Sequence, residues 1–242
     1  MAKRSAPDWL TRWEYAHRGL HGEDVPENSL LGARLAIERG MGIECDIQRS
    51  SDGVSMVFHD WDLGRLTGCH GDFGAMSAEA LGTYRYLESN ERIVSLEELL
   101  GLIHGKVPLL IEIKSRRGYD VERSSKAVAD TLADYAGDHA VMSFDPRVAR
   151  WFRRNSPHTC AGLVMREDEY GYTQQAWQRR LALLIAKPDF LAYHIAALPN
   201  RWVANLRARG LPILTWTVNS PITRARALEH TDALISEGAG LP

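Results

Sequence analysis

The sequence has few cysteines and no long apolar run, and both absences limit what the protein can be. Cysteine occurs three times in 242 residues, at positions 45, 69 and 160. An odd number without C-x-x-C spacing argues against a disulfide framework and favours reduced thiols in a cytosolic protein. No window approaches the roughly 20 apolar residues of a membrane span. Residues 1–10 have no apolar core, so we expect no signal peptide and a cytoplasmic location.

An excess of one charge is also missing. The chain has 29 Lys and Arg against 31 Asp and Glu, a net charge of −2. Without a long like-charge run, neither a nucleic-acid-binding tail nor a membrane-binding tail is predicted. A small phosphorylated partner stays possible, because a few local cations are enough to bind one. The length and the 45% hydrophobic content suit one core, so a single domain over residues 1–242 is predicted.

Short apolar runs alternate with amphipathic stretches along the whole chain. Nine runs predict strands, at residues 13–16, 42–47, 54–59, 109–114, 140–144, 160–164, 190–194, 212–218 and 233–236. Helical patterns lie between most of them: one capped by Asn28 or Ser29 and ended by Gly40, one with a capping box at Ser95, and others over residues 124–135, 146–154, 173–186, 200–209 and 221–230. Repeated β-α units predict a parallel sheet with helices outside it.

Nine strands are one more than an eight-stranded barrel needs. Only six residues separate Ile47 from Val54, too few for a parallel crossover. We therefore predict that residues 54–59 fold back antiparallel through a two-residue Asp52-Gly53 turn, which would make His59 face Asp46. A three-residue loop would put His59 on the other face.

The other eight strands predict an α/β TIM (β/α)8 barrel, whose site belongs at the C-terminal ends of the strands. Residues 61–92 fit no β-α unit and are predicted to be an insertion within the barrel domain. Such an insertion beside a site commonly sets substrate choice, although a purely structural excursion is the alternative.

Acidic residues recur at the predicted strand ends. Glu44 and Asp46 are two apart on one strand and share a face, and Glu112 and Lys114 repeat the spacing on the next barrel strand. Three acids aimed at one volume repel each other unless a cation is present. Oxygen ligands select a hard ion, Mg²⁺ or Ca²⁺. The alternative is that these acids form salt bridges with Arg18 and Lys114.

Two histidines end apolar runs near these acids. A single histidine in such a place is usually structural, but His17 and His59 together on either side of a phosphate would form a general base and a general acid. Arg18 offers a bidentate fork for phosphate oxygens and Lys114 offers a point charge. With a metal, they would stabilise the charge that develops on phosphorus.

Together the motifs resemble the glycerophosphodiester phosphodiesterase family, which is similar in site layout to phosphatidylinositol-specific phospholipases C. The resemblance rests on His17-Arg18-Gly19, Pro26-Glu27-Asn28-Ser29, Glu44-Cys45-Asp46, Asp52-Gly53, His59-Asp60, Glu112-Ile113-Lys114 and Trp216-Thr217-Val218-Asn219. It implies a divalent metal held by Glu44, Asp46 and Glu112, and acid–base catalysis by His17 and His59. The implied reaction is metal-dependent hydrolysis of a small glycerophosphodiester to glycerol 3-phosphate and an alcohol.

No Ser, Thr or Cys nucleophile stands out in the motifs, which fits a nucleophile supplied by the substrate. The glycerol 2-hydroxyl can attack phosphorus and form a cyclic phosphate that water then opens, and we hypothesise that His17 is the initial base. Trp216 and Phe144 resemble pocket-lining positions of the family, with core packing as the alternative. One departure is Ser236-Glu237, where the family usually has Thr-Asp; it bears on how the last strand is positioned beside His17.

Three other functions are compatible with these motifs. Lysophospholipase D activity would need an apolar groove near residues 61–92, a segment that is not strongly apolar. A lyase would stop at the cyclic phosphate. A non-catalytic phosphate-binding barrel would be expected to lack a histidine or an acid, whereas all five are present.

Overall fold

Ten strands form one sheet in the computed structural model, which describes residues 5–242. In chain order they are β1 (Tyr15–Ala16), β2 (Gly42–Arg49), β3 (Ser55–Val57), β4 (Val94–Ser95), β5 (Leu109–Ile113), β6 (His139–Ser143), β7 (Cys160–Met165), β8 (Phe190–His194), β9 (Ile213–Val218) and β10 (Ala233–Ser236). Eight are parallel, in the order β1-β2-β5-β6-β7-β8-β9-β10, and β10 pairs with β1 to close a barrel. The predicted barrel is confirmed, and each predicted strand ends within two residues of the observed one.

Helices connect successive barrel strands and pack outside them. They are α1 (Leu30–Glu38), α2 (Gly64–Thr67), α3 (Ala78–Leu81), α4 (Leu96–Ile103), α5 (Val121–Leu132), α6 (Pro146–Asn155), α7 (Ala176–Ala186), α8 (Arg201–Ala208) and α9 (Pro221–His230). The prediction placed the start of α5 three residues late, because Asp120 caps that helix by accepting a hydrogen bond from the Arg123 N–H.

Alternation along β2 and β5 separates an outer core from the barrel interior. Ile43, Cys45 and Ile47 pack in the large cluster between the strands and the helices. Leu110 belongs instead to the cluster that fills the barrel. Residues of opposite parity on a strand face opposite sides. Glu44, Asp46 and Glu112 therefore lie on the inner side. Asp46 and Glu112 lie in the C-terminal halves of their strands, and Glu44 follows Ile43, the partner of the last residue of β1.

The turn after β2 differs from the prediction by one residue. Ile47 pairs with Val57, and the Ser50 N–H donates to the Val54 carbonyl at 2.9 Å, so residues 51–53 form a three-residue loop. The predicted two-residue turn is wrong. The Ser50 hydroxyl accounts for the wider loop, because it bonds the Asp52 carboxylate at 2.6 Å and accepts from the Val54 N–H at 2.9 Å.

This register also corrects the predicted pairing of His59. The Phe58 N–H donates to the Asp46 carbonyl at 3.0 Å, so Phe58, not His59, opposes Asp46. Since β3 ends at Val57, the ladder no longer dictates the direction of the His59 side chain.

Residues 61–92 form a small layer outside the barrel that carries its own core. This layer contains α2, α3 and short connecting segments, and β4, which was not predicted, follows it and pairs antiparallel with β3. Phe58 stacks on Phe73 at a ring-centroid distance of 5.0 Å, and Leu63, Leu81 and Tyr86 are buried with them. The insertion therefore packs most of its large apolar side chains inward, with Leu87 as an exposed exception.

We expect Ser95→Ala to destabilise the protein modestly, because Ser95 caps α4. Its hydroxyl accepts from the Glu98 N–H at 3.2 Å, and the Glu98 carboxylate accepts from the Ser95 N–H at 2.9 Å. Loss of a capping hydroxyl costs about 1 kcal/mol, which lowers the melting temperature of a protein of this size by about 2–4 °C. Thermal unfolding measures the change. Ser5→Ala, at an exposed residue outside any helix, is the control, and an equal shift in both variants would contradict the capping role.

Candidate active site

Three carboxylates of β2 and β5 meet on the inner side of the barrel. Glu44, Asp46 and Glu112 each have an oxygen within 4.8 Å of the others, and all three residues are at least 92% buried. Asp46 and Glu112 are direct partners in the register of the two strands. Three oxygen donors this close and this buried match the ligand preference of a hard divalent cation, so the residues present fit such a metal.

The three carboxylates of this cluster, when ionised, carry one more charge than the two nearest cations, Lys114 and Arg18, can balance. Lys114 Nζ lies 3.0 Å from Glu112 and 3.2 Å from Asp46, and Arg18 Nε lies 3.1 Å from Asp46. Burial raises the pKa of Glu44 well above its usual value, and repulsion by Asp46 and Glu112 adds to the effect. Burial has the same tendency at Asp46, but Lys114 and Arg18 outweigh it and hold the pKa of Asp46 well below its usual range.

Arg18 is held between two acidic groups by the loop after β1. Its backbone N–H donates to Glu44 at 3.0 Å, and its Nη1 donates to Glu27 at 2.8 Å. Gly19 allows this loop to lie against α1: its φ is +78°, and a Cβ there would be 3.0 Å from the Gly32 carbonyl carbon. Arg18 Nε is buried and has no aligned hydrogen-bond acceptor within the described residues, which leaves a donor beside the acids.

Asn28 is a site residue that the sequence reasoning considered only as a possible helix cap. Its amide donates to Asp46 at 3.0 Å, and its carbonyl oxygen accepts from the Asp46 N–H at 3.1 Å. The helix cap is Ser29, which accepts from the Gly32 N–H. Asn28 has a left-handed φ of +57°, a conformation that asparagine adopts more readily than most residues. The only sequence signal for its role was its place in the motif Pro26-Glu27-Asn28-Ser29.

His17 is oriented by a carboxylate from the far end of the chain. Its Nδ1 lies 2.6 Å from Glu237, and its Nε2 lies 3.9 Å from Glu44. His21 Nε2 lies 3.3 Å from the same Glu237 oxygen. Hydrogen bonds from His17 and then His21 lower the pKa of Glu237 well below its usual value. The departure from Thr-Asp at positions 236 and 237 therefore places a longer acid directly against His17.

His59 is linked to the acids through a network of charges. Its Nδ1 lies 2.6 Å from Asp60, and Arg65 bridges Asp60 at 2.5 Å and Glu27 at 2.8 Å. The electrostatic influence of the His59 ring is among the causes that lower the pKa of Asp46 and of Glu27. His59 therefore acts electrostatically on the site although it does not oppose Asp46 in the strand pairing. Its side-chain direction is not set by that pairing, because β3 ends at Val57.

Trp216 and Phe144 meet at the ends of the barrel strands. Their rings contact edge-on at a centroid distance of 5.4 Å, and both pack on the barrel interior. The His194 ring lies 4.7 Å from Trp216, and the Arg166 guanidinium lies 5.5 Å from the same ring. These four side chains form an aromatic and cationic wall, of which the sequence reasoning identified only the first two.

The amino-acid sequence matches the model of the glycerophosphoryl diester phosphodiesterase family over residues 17–236. This match covers every residue proposed above for the metal, the histidine pair and the aromatic wall. Only Glu237, among the side chains described at the site, lies outside it.

Individual relatives match over nearly the same length. The glycerophosphodiester phosphodiesterase of Caldanaerobacter subterraneus is 27% identical over 92% of this chain and 92% of its own. The Bacillus subtilis protein YhdW is 28% identical over 92% of this chain and 96% of its own. In fold, the chain is similar to an Oleispira antarctica phosphodiesterase solved with sn-glycerol-3-phosphate, with a TM-score of 0.79, 24% identity, and coverage of 93% and 92%. The chain therefore belongs to the glycerophosphoryl diester phosphodiesterase family.

Proposed function

We propose that the protein hydrolyses small glycerophosphodiesters to glycerol 3-phosphate and an alcohol. The observation that carries this proposal is the cluster of Glu44, Asp46 and Glu112, with Nε2 of His17 3.9 Å from Glu44. Family membership makes the chain a phosphoric diester hydrolase. The sn-glycerol-3-phosphate in the Oleispira antarctica structure is the product named for that protein, and it supports the same product here.

Glu44, Asp46 and Glu112 would hold the divalent metal, either Mg²⁺ or Ca²⁺. Such an ion, when bound, lowers the pKa of a coordinated hydroxyl and neutralises charge on phosphate oxygens. The Arg18 guanidinium would bind a phosphate oxygen, and Lys114 would add a second positive charge. In this proposal, these side chains would supply positive groups where negative charge develops during reaction.

His17 and His59 would move the protons. A hydrogen bond from His17 Nδ1 to Glu237 selects the tautomer whose Nε2 is free to accept a proton, here from the glycerol 2-hydroxyl. As that oxygen bonds to phosphorus, His59 protonates the departing alkoxide, and a cyclic phosphate forms. In the second half-reaction His59 takes a proton from water, water opens the ring, and His17 returns its proton to the 2-oxygen.

The rest of the molecule favours a small alcohol as leaving group. Trp216 and Phe144 would line the pocket and pack against the glycerol or the leaving group. The insertion buries Leu63, Phe73 and Leu81 in its own core, which supports small headgroups over a long acyl chain.

A product assay tests the function. Glycerol 3-phosphate release is measured with choline, ethanolamine, glycerol and inositol diesters, with Mg²⁺, with Ca²⁺ and with chelator. We expect turnover that the chelator abolishes, and phosphorus NMR distinguishes glycerol 3-phosphate from a cyclic end product. Tight binding of these diesters without turnover in either metal would favour the non-catalytic barrel and contradict the proposal.

We expect Glu237→Gln to lower kcat about 10- to 100-fold with little change in KM, because Glu237 positions His17 and does not touch substrate. A neutral amide can present either its oxygen or its NH2 group to Nδ1, so it does not enforce one tautomer, and it stabilises the protonated imidazole less than a carboxylate does. General-base catalysis is worth about 10²–10⁴-fold in total. The measurement is the pH–rate profile, whose acidic limb should shift in the variant. Glu237→Asp, which restores the usual family residue, should recover activity. An unchanged profile in Glu237→Gln would contradict the positioning role.

A further inference from the structure

Exposed large apolar side chains concentrate on one segment of the surface. Among the described residues, nine large hydrophobic side chains are exposed, and five of them lie between positions 170 and 184: Tyr170, Tyr172, Trp177, Leu181 and Leu184. Three of the five, Trp177, Tyr170 and Tyr172, are aromatic residues exposed by 64–74%. Scattered exposed hydrophobic residues are normal, but a contiguous group marks a surface with a partner.

Helix α7 presents this group on one face. Trp177, Leu181 and Leu184 follow the i, i+4, i+7 spacing of a helical stripe. The side of α7 that packs on the barrel buries the small residues Ala182 and Ala186 instead. Leu183 packs against the outer core on the barrel side, but Trp177, Leu181 and Leu184 remain exposed on the other side of the helix.

Positive charge surrounds the stripe in a chain whose net charge is negative. The sequences of α6 and α7 together with Lys187 contain seven cations and no acid, namely Arg147, Arg150, Arg153, Arg154, Arg179, Arg180 and Lys187. Helix α6 packs beside α7, and Arg153 donates to the Lys187 carbonyl at 3.4 Å. Arg150 and Arg154 are exposed and line one groove together with Ile185 of α7. Acids also lie near the stripe: Glu169 is exposed in the loop before α7, and exposed Asp120 and Glu122 line the same groove as the two arginine residues. Arg147 is paired with Asp145 at 2.6 Å, and Arg179 is paired with Glu167 at 2.8 Å. Among the described residues, the exposed cations without such an ion pair include Arg150 and Arg154.

We propose that this surface docks the protein onto the anionic surface of a lipid bilayer. The α6–α7 face is defined here by Trp177, Leu181 and Leu184 with Arg150 and Arg154, together with Tyr170 and Tyr172. Tryptophan and tyrosine side chains partition to the headgroup region, leucine side chains insert below it, and arginine side chains attract anionic lipids. No helix within residues 5–242 is long and apolar enough to cross a bilayer, so docking would be peripheral.

The charge distribution disfavours two other occupants. A second copy of this face would bring the exposed Arg150 and Arg154 of the two copies together, and their repulsion opposes an isologous dimer. A nucleic acid would engage the arginine side chains but not Leu181 and Leu184.

The α6–α7 face is continuous with the mouth of the barrel. The Arg166 guanidinium lies 5.2 Å from the Tyr170 ring centroid and 5.5 Å from that of Trp216. A molecule docked through this face would therefore hold the aromatic wall of the site next to the lipid headgroups.

Vesicle binding tests the proposal on the full-length protein. Co-sedimentation is measured with vesicles of phosphatidylcholine alone and of phosphatidylcholine mixed with phosphatidylglycerol, at low and high salt. Two variants address the two components: Trp177→Ser with Leu184→Ser, and Arg150→Gln with Arg154→Gln. Matched controls are Ile222→Ser with Leu228→Ser on α9, and Arg34→Gln with Arg201→Gln on α1 and α8, all exposed residues of the same types.

We expect binding to the anionic vesicles that weakens with salt. The arginine pair should raise the half-saturating lipid concentration about 30-fold and the apolar pair about tenfold or more, while the controls bind like the wild type. Turnover of a water-soluble diester should be unchanged in all variants, which separates lost docking from lost folding or lost activity. The proposal would be overturned if no vesicle binding were found or if the control variants lost binding equally. It would also be overturned by a dimer that the Trp177 variant abolishes, or by tighter binding to RNA than to vesicles.

Discussion

Glu44→Gln is expected to abolish turnover and, at the same time, to make the metal-free protein more stable. The loss of activity follows from the removal of one of three oxygen ligands and should reach about 10³-fold, since metal activation supplies several kcal/mol of transition-state stabilisation. The gain in stability follows from the excess negative charge. With Glu44 neutral, Asp46 and Glu112 are balanced by Arg18 and Lys114.

The pH dependence of stability gives a second measurement of the same residue. Glu44 has a raised pKa in the folded protein, so the unfolded chain releases its proton first, near the ordinary value of 4.5. Wild-type protein in chelator should therefore lose stability as pH rises from about 4.5 through the raised pKa. The Gln variant should not show this loss, and its melting temperature at neutral pH should exceed that of the wild type by about 2–4 °C for each kcal/mol of repulsion relieved.

Metal should reverse the order of stability. Mg²⁺ or Ca²⁺ is expected to raise the melting temperature of the wild type by mass action, but not that of Glu44→Gln. Glu79→Gln, at an exposed acid of the insertion, is the matched control and should behave like the wild type. Full turnover in Glu44→Gln would refute its role as a ligand. A lower melting temperature of this variant in chelator would refute the account of charge repulsion.

His17→Ala and His59→Ala are each expected to lower kcat by about 10²–10⁴-fold, the usual worth of one general acid or base. Their responses to the leaving group should differ. If His17 is the initial base, a substrate with a nitrophenol leaving group, which departs without a proton, should largely restore His59→Ala but not His17→Ala. The measurement is the ratio of kcat values for the nitrophenyl and the choline diester in each variant.

The two histidine residues bind different carboxylates, so each can be changed without removing the partner of the other. Glu237 is shared between His17 and His21, whereas Asp60 holds His59 and is itself paired with Arg65. His70→Ala, at an exposed histidine of the insertion, is the control and should leave kcat unchanged. Preferential rescue of His17→Ala by the nitrophenyl substrate would reverse the assignment of acid and base, and full activity in either variant would exclude that residue from catalysis.

The barrel was predictable because its signals are local. Apolar runs of four to eight residues, capping residues such as Ser29 and Ser95, and the two-residue spacing of Glu44 and Asp46 act within one element. Each depends on backbone periodicity, which is readable without knowing the partner strand. The strand ends were therefore predicted to within two residues.

The hairpin was mispredicted because its register depends on a side chain inside the turn. Asp52-Gly53 is typical of a two-residue turn, but the Ser50 hydroxyl bonds across the loop and stabilises one with three residues. A single residue of register decides which side chain opposes Asp46. The sequence argument placed His59 opposite Asp46 from the two-residue register. In the structure His59 lies beyond the end of β3 and still influences Asp46 electrostatically.

From the sequence alone, one can determine the barrel, the alternation of its layers and the set of acids and histidines at the ends of its strands, because these follow from spacing along the chain. Only the tertiary structure decided that Asn28 binds Asp46 and that Glu237 orients His17 across 220 positions. It also decided that α7 exposes three large apolar side chains beside the arginine residues of α6. Such contacts join residues distant in sequence, and barrel closure, which pairs β1 with β10, is the physical step that brings Glu237 to His17.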